Sequence, residues 1–240
     1  MNSYIQPSGI LPGGVIQIRH FPAEREPWIE LGWPGLEPKR PCLDILLFDD
    51  SGSVIAPHGT DPVGNRFEEA RRAIARVAEW TATNRSKVAI LHFDHLHGAS
   101  GITPLNHRHL QRRLEPSLRN PRGAGTSELS PSLTSLELLA AKHPDHEVRA
   151  TIFSDFELTD RDPSQVMSRL LTFPGQVHAV ILGGQVPPDL IDAPNVTVTP
   201  LRPSDPSGTF AAAIQRSLTA TRRGARYSVL HGSSGKTVLP

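Results

Sequence analysis

Four short runs of the chain are almost wholly apolar: Leu43–Phe48, Lys87–Phe93, Val148–Ser154 and Gln176–Leu182. A strand with one wet face alternates apolar and polar residues; uninterrupted runs of this length are predicted to be strands buried on both faces. Such strands must be covered twice, and the segments between them supply the cover. From Arg66 to Thr81, Phe67, Ala70, Ile74, Val77, Ala78 and Thr81 recur at three and four, while Glu68, Glu69, Arg71, Arg72, Arg76 and Glu79 fill most of the other side. That spacing predicts an amphipathic helix. A short helix near His107–Leu118, one over Ser130–Lys142 capped by Ser130, and a closing helix over Pro206–Thr221 are predicted likewise, with a further strand at Asn195–Thr199. Strands alternating with helices imply right-handed crossovers. The expected class is α/β: a doubly wound, mostly parallel central sheet flanked by helices on both faces.

Composition narrows the function classes. Among 240 residues, 25 Lys plus Arg stand against 24 Asp plus Glu, so the net charge of +1 offers no general attraction to nucleic acid or to an anionic membrane. The single cysteine, Cys42, excludes an internal disulfide and a Cys-x-x-Cys site, and favours a reducing, cytoplasmic setting. The sequence shows no leader pattern and no apolar segment long enough to span a bilayer. Seven prolines punctuate residues 1–41, where Val15–Ile18 alone could make a short strand, so this part is expected to be an arm. Residues 42–221 form the expected domain, and 222–240 a basic, Gly- and Ser-rich tail in which Tyr227–Leu230 could add a strand.

Where the first buried strand ends, the sequence turns abruptly to Asp49-Asp50-Ser51-Gly52-Ser53. Asp49, Ser51 and Ser53 alternate, so a carboxylate and two hydroxyls can face one point. In a parallel sheet the loops after other strands reach the same edge, and two of these carry Thr126 and Asp155. An all-oxygen set suits a hard divalent cation, Mg²⁺ first, with Mn²⁺ or Ca²⁺ as alternatives, and disfavours zinc. Taken alone, Asp49 and the two serines fit the capping of a turn equally well.

The order Asp-x-Ser-x-Ser at 49–53, Thr126 in GAGTSEL and Asp155 in FSDFELTD resembles the von Willebrand factor type A domain with its metal-ion-dependent adhesion site, over roughly residues 42–221. The resemblance implies an ion held by serine and threonine hydroxyls, with carboxylates reaching it through water. It also implies one coordination position left for a partner's acidic residue. Where that family commonly has Thr-Asp-Gly-Glu, this chain has Ser154-Asp155-Phe156-Glu157. Phe156 thus replaces a small residue, and an exposed phenylalanine there would be a contact anchor. The expected partner-facing rim is Asp50, His95, His97, Ser127, Phe156 and Glu157.

Other clusters are weighed against this site. His92, Asp94, His95, His97, His107 and His109 crowd one stretch, read as a polar partner-facing loop, with a second metal or acid–base chemistry as alternatives. Arg108, Arg112, Arg113, Arg119 and Arg122 read as a solvated face, as do Arg71, Arg72 and Arg76. Gly235-Lys236-Thr237 lacks the spacing and the following helix of a phosphate-binding loop. The expected function is a cation-dependent protein-binding module, working within a larger assembly on a protein partner that presents Asp or Glu. Two other readings stay open: a metal-dependent phosphoester hydrolase using His92 or His95 as proton shuttle, and an interaction protein with a vestigial ion site. Oligomeric state stays open as well.

Overall fold

The computed structural model describes residues 28–56, 59–61, 65–93, 99–119, 124–226 and 228–230. Val15–Ile18, Asp94, His95, His97, Arg122 and the Gly-Lys-Thr stretch lie outside them. Six strands form the central sheet, in the order β4-β3-β2-β5-β6-β7. Their ranges are β2 Cys42–Phe48, β3 Ser86–His92, β4 Thr103–Pro104, β5 Glu147–Ser154, β6 Gln176–Leu182 and β7 Val196–Leu201. All neighbours run parallel except the short edge strand β4, antiparallel to β3. The four apolar runs are the four inner strands, as full burial on both faces requires.

Alternate residues of each strand feed two cores. Leu46, Phe48, Ile90, Phe153 and Val180 pack on one face, against α2 (Arg66–Ala78), α3 (Leu110–Leu114) and α7 (Thr209–Leu218). Leu43, Ile45, Leu47, Ile152 and Ile181 pack on the other, against α4 (Ser130–Lys142), α5 (Pro163–Leu171) and α6 (Pro188–Ile191). Helices on both faces establish the doubly wound class. Residues 52–55 form a one-turn helix, α1. The short helix after His107 is α3 followed by a 3-10 turn at Glu115–Ser117. Helix α5 lies in a segment without a helix in the sequence reading; Asp162 caps it, accepting from the Gln165 N–H at 3.0 Å.

Two polar residues assigned locally have distant partners. Ser130 does not cap α4; the carboxylate of Asp160, from the loop after β5, accepts from the N–H groups of Leu129 and Ser130 at 2.8 and 2.9 Å. A charged acceptor at a helix N-terminus satisfies two orphan donors at once and meets the positive end of the dipole, which a serine hydroxyl does less well. Glu69 leaves the wet face of α2: it is buried, and its two oxygens accept from the N–H groups of Gly208 and Ala211, both at 2.9 Å, at the start of α7. At the opposite end of the sheet from the strand carboxyl termini, Asp44 pairs with Arg149 at 2.7 Å. Burial pushes the Asp44 carboxyl up, and the Arg149 charge pulls it back.

The flanking segments meet each other. Strand β1 (Trp28–Glu30) pairs antiparallel with β8 (Ser228–Leu230). Leu31 enters the first core, Arg226 N–H donates to the Trp33 carbonyl at 2.8 Å, and Arg222 is buried, donating to Thr81 Oγ1 at 2.5 Å.

Candidate functional site

The sheet order places β3 and β5 on opposite sides of β2, so the chain builds outward from β2 to one side through β3 and then returns past it to continue on the other side from β5. The carboxyl ends of β2 and β5 therefore open a crevice, the position where ligands bind in doubly wound sheets. Asp49 follows β2 directly and Asp155 follows β5 directly. In register, Phe48 lies beside Phe153, and the Asp49 N–H continues the ladder to the Phe153 carbonyl at 2.9 Å.

Both carboxylates are buried, Asp49 fully and Asp155 at 2% exposure, and among the described residues neither has a cationic side chain as partner. Hydrogen bonds orient them instead. Asp49 Oδ1 accepts from the Ser51 N–H at 2.8 Å and Oδ2 from Ser154 Oγ at 2.6 Å. Asp155 Oδ1 accepts from the Glu157 N–H at 3.1 Å and Oδ2 from Thr60 Oγ1 at 3.2 Å. Burial raises the Asp49 pKa; the hydrogen bonds from Ser154 and Ser51 oppose the rise, and the nearby negative charge of Asp155 adds to it. Two carboxylates so placed carry a cost in the ionised state that a cation would remove.

Ser51 and Ser53 bring their hydroxyls within 3.0 Å of each other, Ser51 buried and Ser53 exposed. The third loop is joined to this turn through Gly125, which bridges Ser51 as a parallel pair and donates its N–H to the Asp50 carbonyl at 2.9 Å. Thr126 is the next residue; it is exposed, and its Oγ1 accepts from the Glu128 N–H at 3.3 Å. Asp49, Ser51, Ser53 and Asp155 are thus gathered at the crevice, with the Thr126 loop alongside. Among the described residues no group of three His, Cys, Asp or Glu is arranged to hold a metal. The oxygen set here has two carboxylates and otherwise hydroxyls, a donor chemistry that fits a hard cation and not a softer one.

The expected rim needs correction. Asp50 does not face outward: it is buried, with Oδ1 taken by Arg66 Nη2 and Oδ2 by His92 Nδ1, each at 2.5 Å. Phe156 is no exposed anchor; at 9% exposure its ring belongs to the second core, because the backbone there turns to φ +58° and sends the side chain inward. Ser127 is also buried, its carbonyl accepting from the Thr159 N–H at 3.2 Å. Of the described rim residues Glu157 alone is exposed. His92 is not at the rim either. It is buried, with Nδ1 on Asp50 and Nε2 on the Ser117 carbonyl at 2.9 Å, so neither ring nitrogen is available as a proton shuttle.

Several residues that shape the site were missed in the sequence. Arg66 Nη1 donates to the Asp49 carbonyl at 2.6 Å while its other arm holds Asp50, bracing the turn from beneath. Ser154 and Thr60 orient the two carboxylates. Gly184 lies against Asp155: a Cβ there would stand 2.7 Å from the Asp155 carbonyl oxygen. The dipeptide Gly183-Gly184 after an apolar strand was the available signal for a close backbone approach.

No family model and no curated protein matches the sequence. Solved structures do match the fold. A von Willebrand factor type A protein from Catenulispora acidiphila superposes with a TM-score of 0.53 at 14% identity, covering 82% of this chain and 51% of that one. The pilus adhesin SpaC from Lactobacillus rhamnosus GG gives 0.57 at 11%, covering 78% and 30%. Proximal thread matrix protein 1 from the mussel byssus gives 0.51 at 12%, covering 79% and 48%. The chain therefore spans about half or less of the length of these proteins. Identities this low speak for the fold alone, and the fold is that of a von Willebrand factor type A-like α/β domain.

Proposed function

We propose that this chain is a divalent-cation-dependent protein-binding module, with Asp49, Ser51, Ser53, Thr126 and Asp155 as the residues that hold the ion. The observation that carries the reading is the pair of buried carboxylates, Asp49 and Asp155, oriented by hydrogen bonds at the crevice and lacking any side-chain cation among the described residues. Bound Mg²⁺, or Mn²⁺ or Ca²⁺ in its place, would supply a positive charge open to one carboxylate of a partner. The chain's own part is to fix the oxygens. Ser154 and the Ser51 N–H set the Asp49 carboxylate, Thr60 and the Glu157 N–H set that of Asp155, and Arg66 holds the turn between them.

The partner is a protein presenting an exposed Asp or Glu, met by the loops that carry Ser53, Thr126 and Glu157. A proton-transfer role is disfavoured for His92, whose two nitrogens are engaged internally. SpaC is a pilus adhesin, which agrees with a docking function here. The lone buried Cys42 supports a cytoplasmic setting, and among the described residues no helix is long and apolar enough to cross a membrane.

The test is calorimetric titration of the chain with MgCl₂, followed by partner capture with and without EDTA. Binding at millimolar Mg²⁺ that disappears in Asp49→Ala, with capture lost in EDTA, is expected. Heat-silent titration of the folded chain, or capture indifferent to EDTA and to Asp49→Ala, would refute the proposal.

A further inference from the structure

A second surface lies at the other end of the sheet. Strand β4 pairs with Lys87 and Val88 at the amino end of β3, and the Leu105 N–H donates to the Ser86 carbonyl at 2.9 Å. Residues 105–112 are therefore held at the edge opposite the crevice of Asp49 and Asp155. Between them and the end of α2 lies an open groove of about 480 Å³, lined by the half-buried Ala75 and Ala78, with Leu105 and Leu110 buried beneath, and edged by His107 and the exposed Arg108 and Arg112.

The rim is unbalanced in charge. Nearby arginines have carboxylate partners: Arg71 pairs with Glu68 at 3.1 Å, Arg76 with Glu79 at 3.0 Å and Arg119 with Glu115 at 2.6 Å. Arg108, Arg112 and Arg113 are exposed and have no such partner among the described residues. Glu79, the acidic residue lining the groove, is the one already engaged by Arg76. His107 Nδ1 accepts the His109 N–H at 3.1 Å, which leaves Nε2 as the donor of a neutral ring. Desolvation lowers the His107 pKa first, and the charges of Arg113, His109 and Arg108 lower it further.

We propose that this groove is a docking site for an acidic segment of a partner protein, in which Asp or Glu side chains flank an apolar residue. The arginines and the His107 Nε2–H meet the carboxylates, and the apolar residue covers Ala75 and Ala78 between them. A nucleic-acid strand fits less well. Strands are gripped by longer arrays of phosphate contacts and by stacking rings, and among the described residues no Phe, Tyr or Trp lines this groove. The site is independent of the cation site, from which it is separated by the length of β3.

The test is fluorescence anisotropy with a labelled peptide of alternating Asp and Leu, run in EDTA so that a cation at Asp49 contributes nothing. Saturable binding that weakens with salt is expected. The double variant Arg108→Glu, Arg112→Glu, checked by circular dichroism to be folded, should raise the Kd by about tenfold or more, since two exposed attractions become repulsions. Arg108→Lys with Arg112→Lys should largely retain it. In NMR titrations the His107 pKa should rise when the peptide is bound, because its carboxylates offset the arginine field. Absent binding, a Kd indifferent to charge reversal, an unmoved His107, or tighter binding of a thymidine oligonucleotide than of the peptide would overturn the proposal.

Discussion

Phe156 occupies a backbone conformation that suits glycine and a packing position that suits a large side chain, and the two demands can be separated by substitution. Its φ of +58° is the one positive value outside glycine among the described residues, and its ring lies in the second core at 9% exposure. Phe156→Ala removes the ring at a cost of about 3–5 kcal/mol and keeps the left-handed strain. Phe156→Gly loses the same packing but releases about 1–2 kcal/mol of that strain. Against this, glycine adds about 0.5–1 kcal/mol of unfolded-state entropy. The glycine variant should thus be the more stable of the two by roughly 0.5–1 kcal/mol, the reverse of their usual order in regular structure. For a domain of this size the difference corresponds to a Tm about 1–4 °C higher. Urea titrations and calorimetric scans of both variants beside the parent measure it. An alanine variant as stable as the glycine variant, or more so, would show that the strain assigned to this turn is absent.

Other expectations follow from the same geometry. Arg66→Met should destabilise the fold by about 3–5 kcal/mol, since it strands the buried Asp50 carboxylate beside His92; a urea midpoint shift reads it. Ser154→Ala, which removes the hydroxyl holding Asp49 Oδ2, should weaken Mg²⁺ binding by about tenfold in calorimetry. Gly184→Ala should lower Mg²⁺ affinity with far-ultraviolet dichroism preserved, because the new methyl displaces the Asp155 backbone. Burial, helped by the Arg216 charge, pushes the pKa of His178 down to about 4. Its neutral form is therefore the folded one: the stabilisation is complete above pH 6.5 and is lost as pH falls toward 4. The loss is about 3 kcal/mol, and His178→Gln should flatten that part of the stability profile.

The four inner strands and the main helices were legible because their signals are local. An unbroken apolar run or a repeat at three and four depends on neighbouring residues, and burial on both faces of the sheet imposes it directly. The spacing Asp49, Ser51, Ser53 is local in the same sense, and the parallel order of strands implies that Asp155 reaches the same edge. The Thr126 loop gets there by another route than the one expected: it follows α3 and the 3-10 turn rather than a strand, and is joined to the Ser51 turn through Gly125. Which polar side chain serves which group was decided only in three dimensions. Asp160 reaches back to α4, Glu69 reaches across to α7, and Asp50 turns down to Arg66 and His92, each joining positions well separated along the chain. A charged residue in a sequence looks solvated by default. Only the packed fold shows which orphan N–H or opposite charge repays its desolvation, and for Phe156 it was the sign of one dihedral angle that sent the ring into the core rather than toward a partner.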